Sequence, residues 1–264
     1  MRELERDRNG KARGVPALAI VGAGRVGRAL ARAAGANDLE VTLAGRSDAL
    51  AACESAGAAL LCVPDGAIAE ACQSIAAAAP PLRYVGHTSG ATGLAALQAA
   101  AARGAETFSL HPLQTIPEGD AEVAGAPCAV SGSTPGALAL ARTLAERLGL
   151  RPFEVPDENR AAYHAAASIA SNFLVALEEA AAELLERAGV DDGRELLAPL
   201  VLRTAENWSQ RGRNALTGPI ARGDEETVAR HLEAIGERHP ELLDAYRALA
   251  ELTRELARGE EITA

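Results

Sequence analysis

A chain of 264 residues is long enough to bury a full core and to form one or two domains. Its formal charge of −10 argues against nucleic acid or an anionic membrane surface as the main partner. The only lysine is Lys11, which excludes a Schiff-base mechanism, a P-loop lysine and a lysine acid inside the core. Residues 1–15 are polar, mixed in charge and without an apolar h-region, and are expected to be a mobile tail. No stretch has the length and uninterrupted apolar character of a membrane span. Cys53, Cys62, Cys72 and Cys128 fall in alanine-rich or strand-like surroundings with no CxxC spacing. They fit buried reduced thiols and a cytoplasmic location, with neither a metal site nor a disulfide framework.

The first informative stretch is Ala17 to Ala33, ALAIVGAGRVGRALARA, in which an apolar run of strand length passes into a glycine cluster and then a helical pattern. Gly22, Gly24 and Gly27 stand in GxGxxG spacing, with Ala23, Arg25 and Val26 between them. Such a loop turns tightly after a strand, lets a pyrophosphate approach the backbone, and packs the following helix closely on the sheet. The helix N-terminus then offers N–H groups and a positive dipole end to the phosphates. Leu39 to Gly45 reads as a second strand, ending at Arg46 and Ser47, roughly 20 residues beyond the loop, where the ribose is read. An acidic residue there would bind the 2′-hydroxyl of NAD; Arg46 as clamp and Ser47 as donor suit the 2′-phosphate of NADP.

Ala58 to Val63 has the length of a buried parallel strand and is closed by Pro64, Asp65 and Gly66. A helix over Ile68 to Ala79 follows, then a strand over Arg83 to Gly86 opening into His87-Thr88-Ser89-Gly90. A helical segment spans Gly93 to Arg103, and a strand over Thr107 to Leu110 empties into His111-Pro112-Leu113-Gln114-Thr115. In an open parallel sheet the loops at the strand carboxyl ends carry the ligand site. Pro64, Asp65, His87, Ser89, His111 and Thr115 are therefore expected along one rim with the glycine loop; His87 and His111 could equally be structural residues that bond backbone.

A strand over Ala126 to Ser131, a helix over Pro135 to Leu148 and a short strand or linker over Pro152 to Pro156 close the first domain. From Asp157, a candidate N-cap, strand signals vanish. Four helices are expected over Asn159 to Ala188, Arg194 to Ser209, Glu225 to Arg238 and Pro240 to Arg258, with a loop from Gly212 to Asp224 between the second and third. The fold class is thus α/β, an N-terminal Rossmann-like parallel sheet domain over residues 16–156 followed by an all-α domain over 157–264. On an unbroken helix at about 100° per residue, His164, Ser168 and Asn172 fall within an arc of roughly 80°, a polar stripe on an otherwise apolar helix.

With the glycine loop, HTSG, HPLQT, YHAAASIASNFLVAL, TAEN and ALTGPIARGD in this order, residues 16 to 258 resemble the bacterial Rossmann-like proteins that carry the helical domain of unknown function 2520. That family is similar in architecture to ketopantoate reductase, pyrroline-5-carboxylate reductase and the deazaflavin-dependent NADP reductases of the 6-phosphogluconate dehydrogenase-like group. The resemblance implies NADP(H)-dependent reduction of a small carbonyl or imine compound between the two domains, with ketopantoate or another 2-keto acid as the first substrate to consider. The usual ketopantoate reductases and β-hydroxyacid dehydrogenases place a lysine four residues before an asparagine on the first helix of the second domain. Here Ser168 stands four before Asn172, and His164 four before that.

Hydride transfer to a ketone requires a donor near the oxygen and groups that hold the rest of the substrate. The reading assigns His164, Ser168 and Asn172 to catalysis, with His164 as proton donor and Asn172 on the carbonyl or the nicotinamide carboxamide. The glycine-loop residues, Arg46, Ser47, Val63, Pro64 and His87 are assigned to the cofactor, and His111, Asn207, Thr217 and Arg222 to the substrate. Arg222 would clamp a carboxylate. Asp224, by contrast, is read as the cap of the third helix. The apolar and alanine-rich surface of the long helix implies a homodimer through the helical domain. A dinucleotide-binding sensor without turnover is the reading from a different class, because fold does not fix function.

Overall fold

The computed structural model describes residues 15–37, 39–78 and 80–259. The expected tail, apart from Val15, lies outside them. The chain divides into two compact units between Ser168 and Ile169, further along than the composition change at Asp157 suggests.

The first unit runs β1 (Leu18–Val21), α1 (Arg25–Ala36), β2 (Val41–Ala44), α2 (Ala49–Glu54), β3 (Ala58–Leu61), α3 (Ile68–Ile75), β4 (Tyr84–His87), α4 (Gln98–Ala101), β5 (Glu106–Pro112), β6 (Pro127–Gly132), α5 (Pro135–Arg147), β7 (Arg151–Glu154) and α6 (Arg160–Ser168). Its strands form a seven-stranded sheet in the order β2-β1-β3-β4-β5-β6-β7. Strand order reverses between β1 and β3, whose register pairs Val21 with Leu61, so the loops after these two strands open side by side. Alternation along the buried strands divides the core. Leu18, Ile20, Leu60, Phe108 and Val130 pack with Leu30 of α1 and with Leu140 and Leu144 of α5. Ala19, Val21, Leu61 and Val85 pack on the opposite face with Ala52 of α2, Ile68 and Cys72 of α3, and Ala100 of α4.

Two expectations change in the sheet. The sheet is not wholly parallel: β6 runs antiparallel to β5, with Leu110 opposite Val130 and His111 opposite Ala129. The intervening connection contains no helix, and a parallel partner would need a crossover, usually a helical one. The same pairing carries β5 through Pro112, so His111 sits on the strand end instead of in the following loop. The helical segment expected over Gly93 to Arg103 is present, as a 3₁₀ turn, Leu94–Leu97, leading into the single-turn α4. Pro152 to Pro156 resolves in favour of a strand, β7, parallel to β6.

The second unit contains α7 (Leu174–Arg187), α8 (Gly193–Arg211), α9 (Glu225–Arg238) and α10 (Leu243–Arg258). Asp224 caps α9 as expected, its Oδ1 accepting from the Thr227 N–H at 3.0 Å. The expected long helix over Asn159 to Ala188 is interrupted by a π-helical turn, Ile169–Phe173. An i→i+5 turn winds more widely than an α-turn, so the roughly 80° arc reckoned for His164, Ser168 and Asn172 does not survive it. No described helix is long and apolar enough to cross a membrane.

Candidate active site

The glycine loop follows β1 as its spacing demands. Gly22 has φ of +117°, and a Cβ there would lie 2.3 Å from the Cys62 carbonyl oxygen. A Cβ on Gly27 would lie 1.9 Å from the Gly22 carbonyl oxygen, so only glycine lets α1 start this close to β1. Gly24, the N-cap of α1, has nothing within 4 Å of the position of a Cβ. No side chain caps α1 and no acidic residue stands in its first turn, which leaves its N–H groups and positive dipole end open to an anion. A cavity of about 230 Å³ beside the loop is lined by Gly22, Ala23, Gly45, Arg46, Val63 and Pro64. Arg46 is 89% exposed there, with its guanidinium 4.0 Å from the Glu70 carboxylate. Ser47 is exposed but does not line this cavity. Together these features fit a dinucleotide: room above Gly24 for a pyrophosphate, and beside it the exposed Arg46 cation at the edge of its Glu70 pairing.

Past the loop lies a second cavity of about 300 Å³, lined by Arg25, Val26, Val63, Asp65, Thr88, Ser89, Gly90, His111, Gln114 and His164 among others. Val63 lines both cavities, so the two adjoin along the glycine loop. His164 thus shares a cavity with the start of α1 and with Asp65, Ser89 and His111 of the rim. Within it the His111 and His164 rings meet edge to face, their centroids 6.2 Å apart. A Cβ at Gly90 would stand 2.7 Å from His164 Cδ2 and 2.9 Å from His111 Nε2, so this glycine keeps open the space into which both rings project.

Beneath the cavity is a residue that sequence reading passed over. Arg160, 1% exposed, is the most bulky fully buried side chain among the described residues. Its Nη1 donates to the carbonyl oxygens of Ser89 (3.0 Å) and Gly90 (3.2 Å). Its Nη2 donates to the hydroxyl oxygens of Ser109 and Ser131, and its Nε to Asp157 Oδ1 at 3.1 Å. One guanidinium thereby joins α6 to the HTSG loop, β5 and β6. Asp157 does not cap its own helix: its carboxylate accepts from the Leu94 N–H and pairs with Arg160. Tyr163 was also missed; its hydroxyl lies 2.7 Å from His111 Nδ1. The signal was the i, i+3, i+4 spacing of Arg160, Tyr163 and His164, which gathers all three on one helix face.

His87 corrects an expectation. It is fully buried at the end of β4, its Nδ1 accepts from the Ser89 N–H at 3.2 Å, and its Nε2 has no hydrogen-bond partner among the described residues. Such a side chain shapes the loop and cannot reach a cofactor. Burial, and then the Arg160 cation, push its pKa down to about 4. His111 is pushed to about 4 as well, by burial, then His164 and Arg160, with Asp65 opposing. The cysteines are free and buried, and burial lifts Cys53 to about 11 and both Cys62 and Cys128 to about 12, so these thiols do not ionise near neutrality.

A pH dependence of stability follows. An unfolded histidine titrates near 6.5. His87 and His111, held at about 4 when folded, leave the unfolded chain to bind protons first as pH falls. Stability is full above about pH 6.5 and is lost progressively down to about 4, by roughly 3 kcal/mol per histidine at most. Thermal melts should therefore show Tm falling already between pH 6.5 and 5, above the usual carboxylate range, and His87→Gln should flatten that slope.

The remaining candidates lie in the second unit. Asn172 is exposed within the π turn, and Asn207 is half-buried on α8. Thr217 and Arg222 are exposed in the loop before α9. There Gly218 (φ +103°) and Gly223 (φ +72°) flank a tight turn in which the Asp224 N–H donates to the Pro219 carbonyl. Among the described residues no group of three or more His, Cys, Asp or Glu could hold a metal ion.

Known proteins agree with this architecture. A Rossmann-like domain matches residues 40–112, and the domain of unknown function DUF2520 matches residues 126–253. No curated protein matches the chain. Among solved structures, a proposed NADP oxidoreductase from Bacteroides fragilis superposes with a TM-score of 0.73 at 22% identity, over 91% of this chain and 98% of its own. Protein TM1727 from Thermotoga maritima gives 0.73 at 24% identity, over 92% and 98%. A reductive aminase from Aspergillus terreus, in complex with NADPH4, cyclohexanone and allyl amine, gives 0.63 at 20% identity, over 94% and 97%. At these identities the likeness is one of fold. The chain thus carries the domain of unknown function 2520 over residues 126–253, behind a Rossmann-like domain over residues 40–112.

Proposed function

We propose that the protein is an NADP(H)-dependent oxidoreductase that reduces a small carbonyl compound, with a 2-keto acid of the ketopantoate type as the first substrate to test. The observation that carries this reading is the adjoining pair of cavities: one holds Arg46 beside the glycine loop, the other brings His164 and His111 to the start of α1. Similar folds include a protein named as an NADP oxidoreductase and a reductive aminase in complex with NADPH4, which supports the same cofactor. When bound, the reduced dinucleotide supplies the hydride for the carbonyl carbon. His164 then gives the proton to the oxygen, Arg25 and the loop N–H groups neutralise phosphate charge, and Asn172, Asn207, Thr217 and Arg222 are kept as substrate or carboxamide contacts from the helical unit. Ser168 replaces the lysine of related dehydrogenases without being able to do its acid–base work, which leaves that work to His164.

One observation favours a second reading. Asp65 lines the same cavity as the histidines, and a carboxylate suits a cationic iminium better than a ketone. The reductive aminase fold relative points the same way. NADPH consumption against a panel of 2-keto acids and cyclic imines separates the two, and dinucleotide binding with no turnover across the panel would favour a sensor. His164→Ala should lower kcat by about 10²-fold while leaving NADPH affinity nearly unchanged; full activity in that variant removes His164 as the donor.

Arg46 should set cofactor choice. A charge-assisted contact to the 2′-phosphate is worth about 1.5–3 kcal/mol, so NADPH should bind more than about tenfold tighter than NADH, and Arg46→Ala should abolish the difference. Fluorescence titration with both reduced cofactors measures it; a preference that survives the substitution places the discrimination elsewhere.

The helical unit is proposed to pair with a second copy. Ile169, Phe173, Leu174, Val175 and Leu177, with Leu196, Leu200, Leu202 and Trp208 of α8, are all exposed. Apolar surface of this extent is characteristic of an interface. Light scattering at micromolar concentration should return twice the chain mass, and Phe173→Glu should return the single mass.

A further inference from the structure

We infer that Tyr163 holds His111 as the Nε2–H tautomer, so that His111 presents a neutral hydrogen-bond donor to an oxygen atom of the substrate while His164 alone exchanges protons. The inference deepens the reductase reading and rests on it for the identity of the acceptor, but the tautomer itself is independent of any activity. It begins with one hydrogen bond. His111 Nδ1 and the Tyr163 hydroxyl are 2.7 Å apart, and only one of the two can be the donor. The Tyr163 hydroxyl has no other hydrogen-bond partner among the described residues, and the Phe153 ring meets the tyrosine ring edge to face, centroids 6.0 Å apart. If Nδ1 carried the proton, the phenolic hydrogen would be left without an acceptor in a half-buried site, which costs about 1–3 kcal/mol. The favoured arrangement therefore has Tyr163 donating to Nδ1, and the imidazole proton then sits on Nε2.

Nε2 is the atom that matters for the substrate. It lies 2.9 Å from the position a Cβ would take on Gly90, the same position that His164 Cδ2 approaches to 2.7 Å. Both rings thus edge onto one point in the cavity. The charged groups around His111 are His164, Arg160 and Asp65, and the first two, together with burial, hold its pKa at about 4. Burial lifts Tyr163 to about 12, so near neutrality the tyrosine keeps its proton and His111 carries no charge. A neutral Nε2–H in the cavity that His164 also lines offers a hydrogen-bond donor to a carbonyl oxygen. Tyr163 is therefore a positioning residue and His111 the group that touches the substrate oxygen.

The test is the tautomer. In two-bond ¹H–¹⁵N spectra of ¹⁵N-histidine-labelled protein at pH 7, with His111 assigned by loss of its signals in His111→Gln, His111 should show a protonated Nε2 and an unprotonated Nδ1. Tyr163→Phe keeps the ring and its packing but removes the donor, and should convert the signal to a mixture containing Nδ1–H. In the same variant kcat for the best 2-keto acid should fall about tenfold with the Kd of NADPH unchanged. Wild-type protein with its proton on Nδ1, or with a cationic His111, overturns the inference whether or not Tyr163→Phe folds. So does a Tyr163→Phe spectrum identical to wild type. Nε2–H in wild type together with no turnover of any carbonyl supports the lock and overturns the reductase reading instead.

Discussion

The buried guanidinium of Arg160 is the interaction on which the candidate site depends. A cation at 1% exposure is tolerable only if its hydrogen-bonding capacity is met, and here two carbonyls, two hydroxyls and one carboxylate meet it. Those partners come from the loop after β4, from β5 and β6, and from the segment before α6. β5 and β6 are already paired with Ser109 opposite Ser131, and the guanidinium ties that pair to the loop after β4 and to the segment before α6. Burial first, and this charge after it, depress both neighbouring histidines, so His87 and His111 stay neutral.

Neutrality has a chemical consequence. Two histidines within one cavity, both able to ionise near pH 7, would repel and titrate as a coupled pair. Their environments are divided instead: burial, and then His164 and Arg160, hold His111 neutral beside the Tyr163 hydroxyl. The small residues of the rim serve this division. Gly90 has no side chain where both rings project, and Gly93 admits the Asp157 carboxylate at 2.7 Å from its Cβ position.

The helical unit has a different economy. Among the described residues of that unit, Ala182, Val228, Ile235 and Ala250 are the buried hydrophobics, whereas Phe173, Leu200, Leu202 and Trp208 stay open. The interruption between α6 and α7 also falls here. The π turn over Ile169–Phe173 coincides with the division between the two units, and wide turns of this kind are frequent at functional sites.

Much of this was legible in the sequence because it is written in local pattern. Apolar runs closed by glycine and proline gave the strands, GxGxxG gave the loop after β1, and the 3.6-residue period with Asp224 as cap gave α9 at its observed bounds. His164 was legible too, as a polar residue on an apolar helix face. What sequence could not decide were matters of long-range pairing. The antiparallel turn of β6 depends on which edge the returning chain meets, and that pairing moved His111 from loop to strand. Arg160 reads as an ordinary solvated arginine at a helix start, since its partners Ser89, Gly90, Ser109 and Ser131 are remote in the chain. Asp157 reads as a cap for the helix that follows it, yet its carboxylate serves Leu94. His87 reads as a rim ligand and is sealed in the core. Burial and partnership arise only when distant segments close on one another; the sequence determined the elements and the glycine loop, and the tertiary structure decided which polar side chains would face the cavity and which would hold it together.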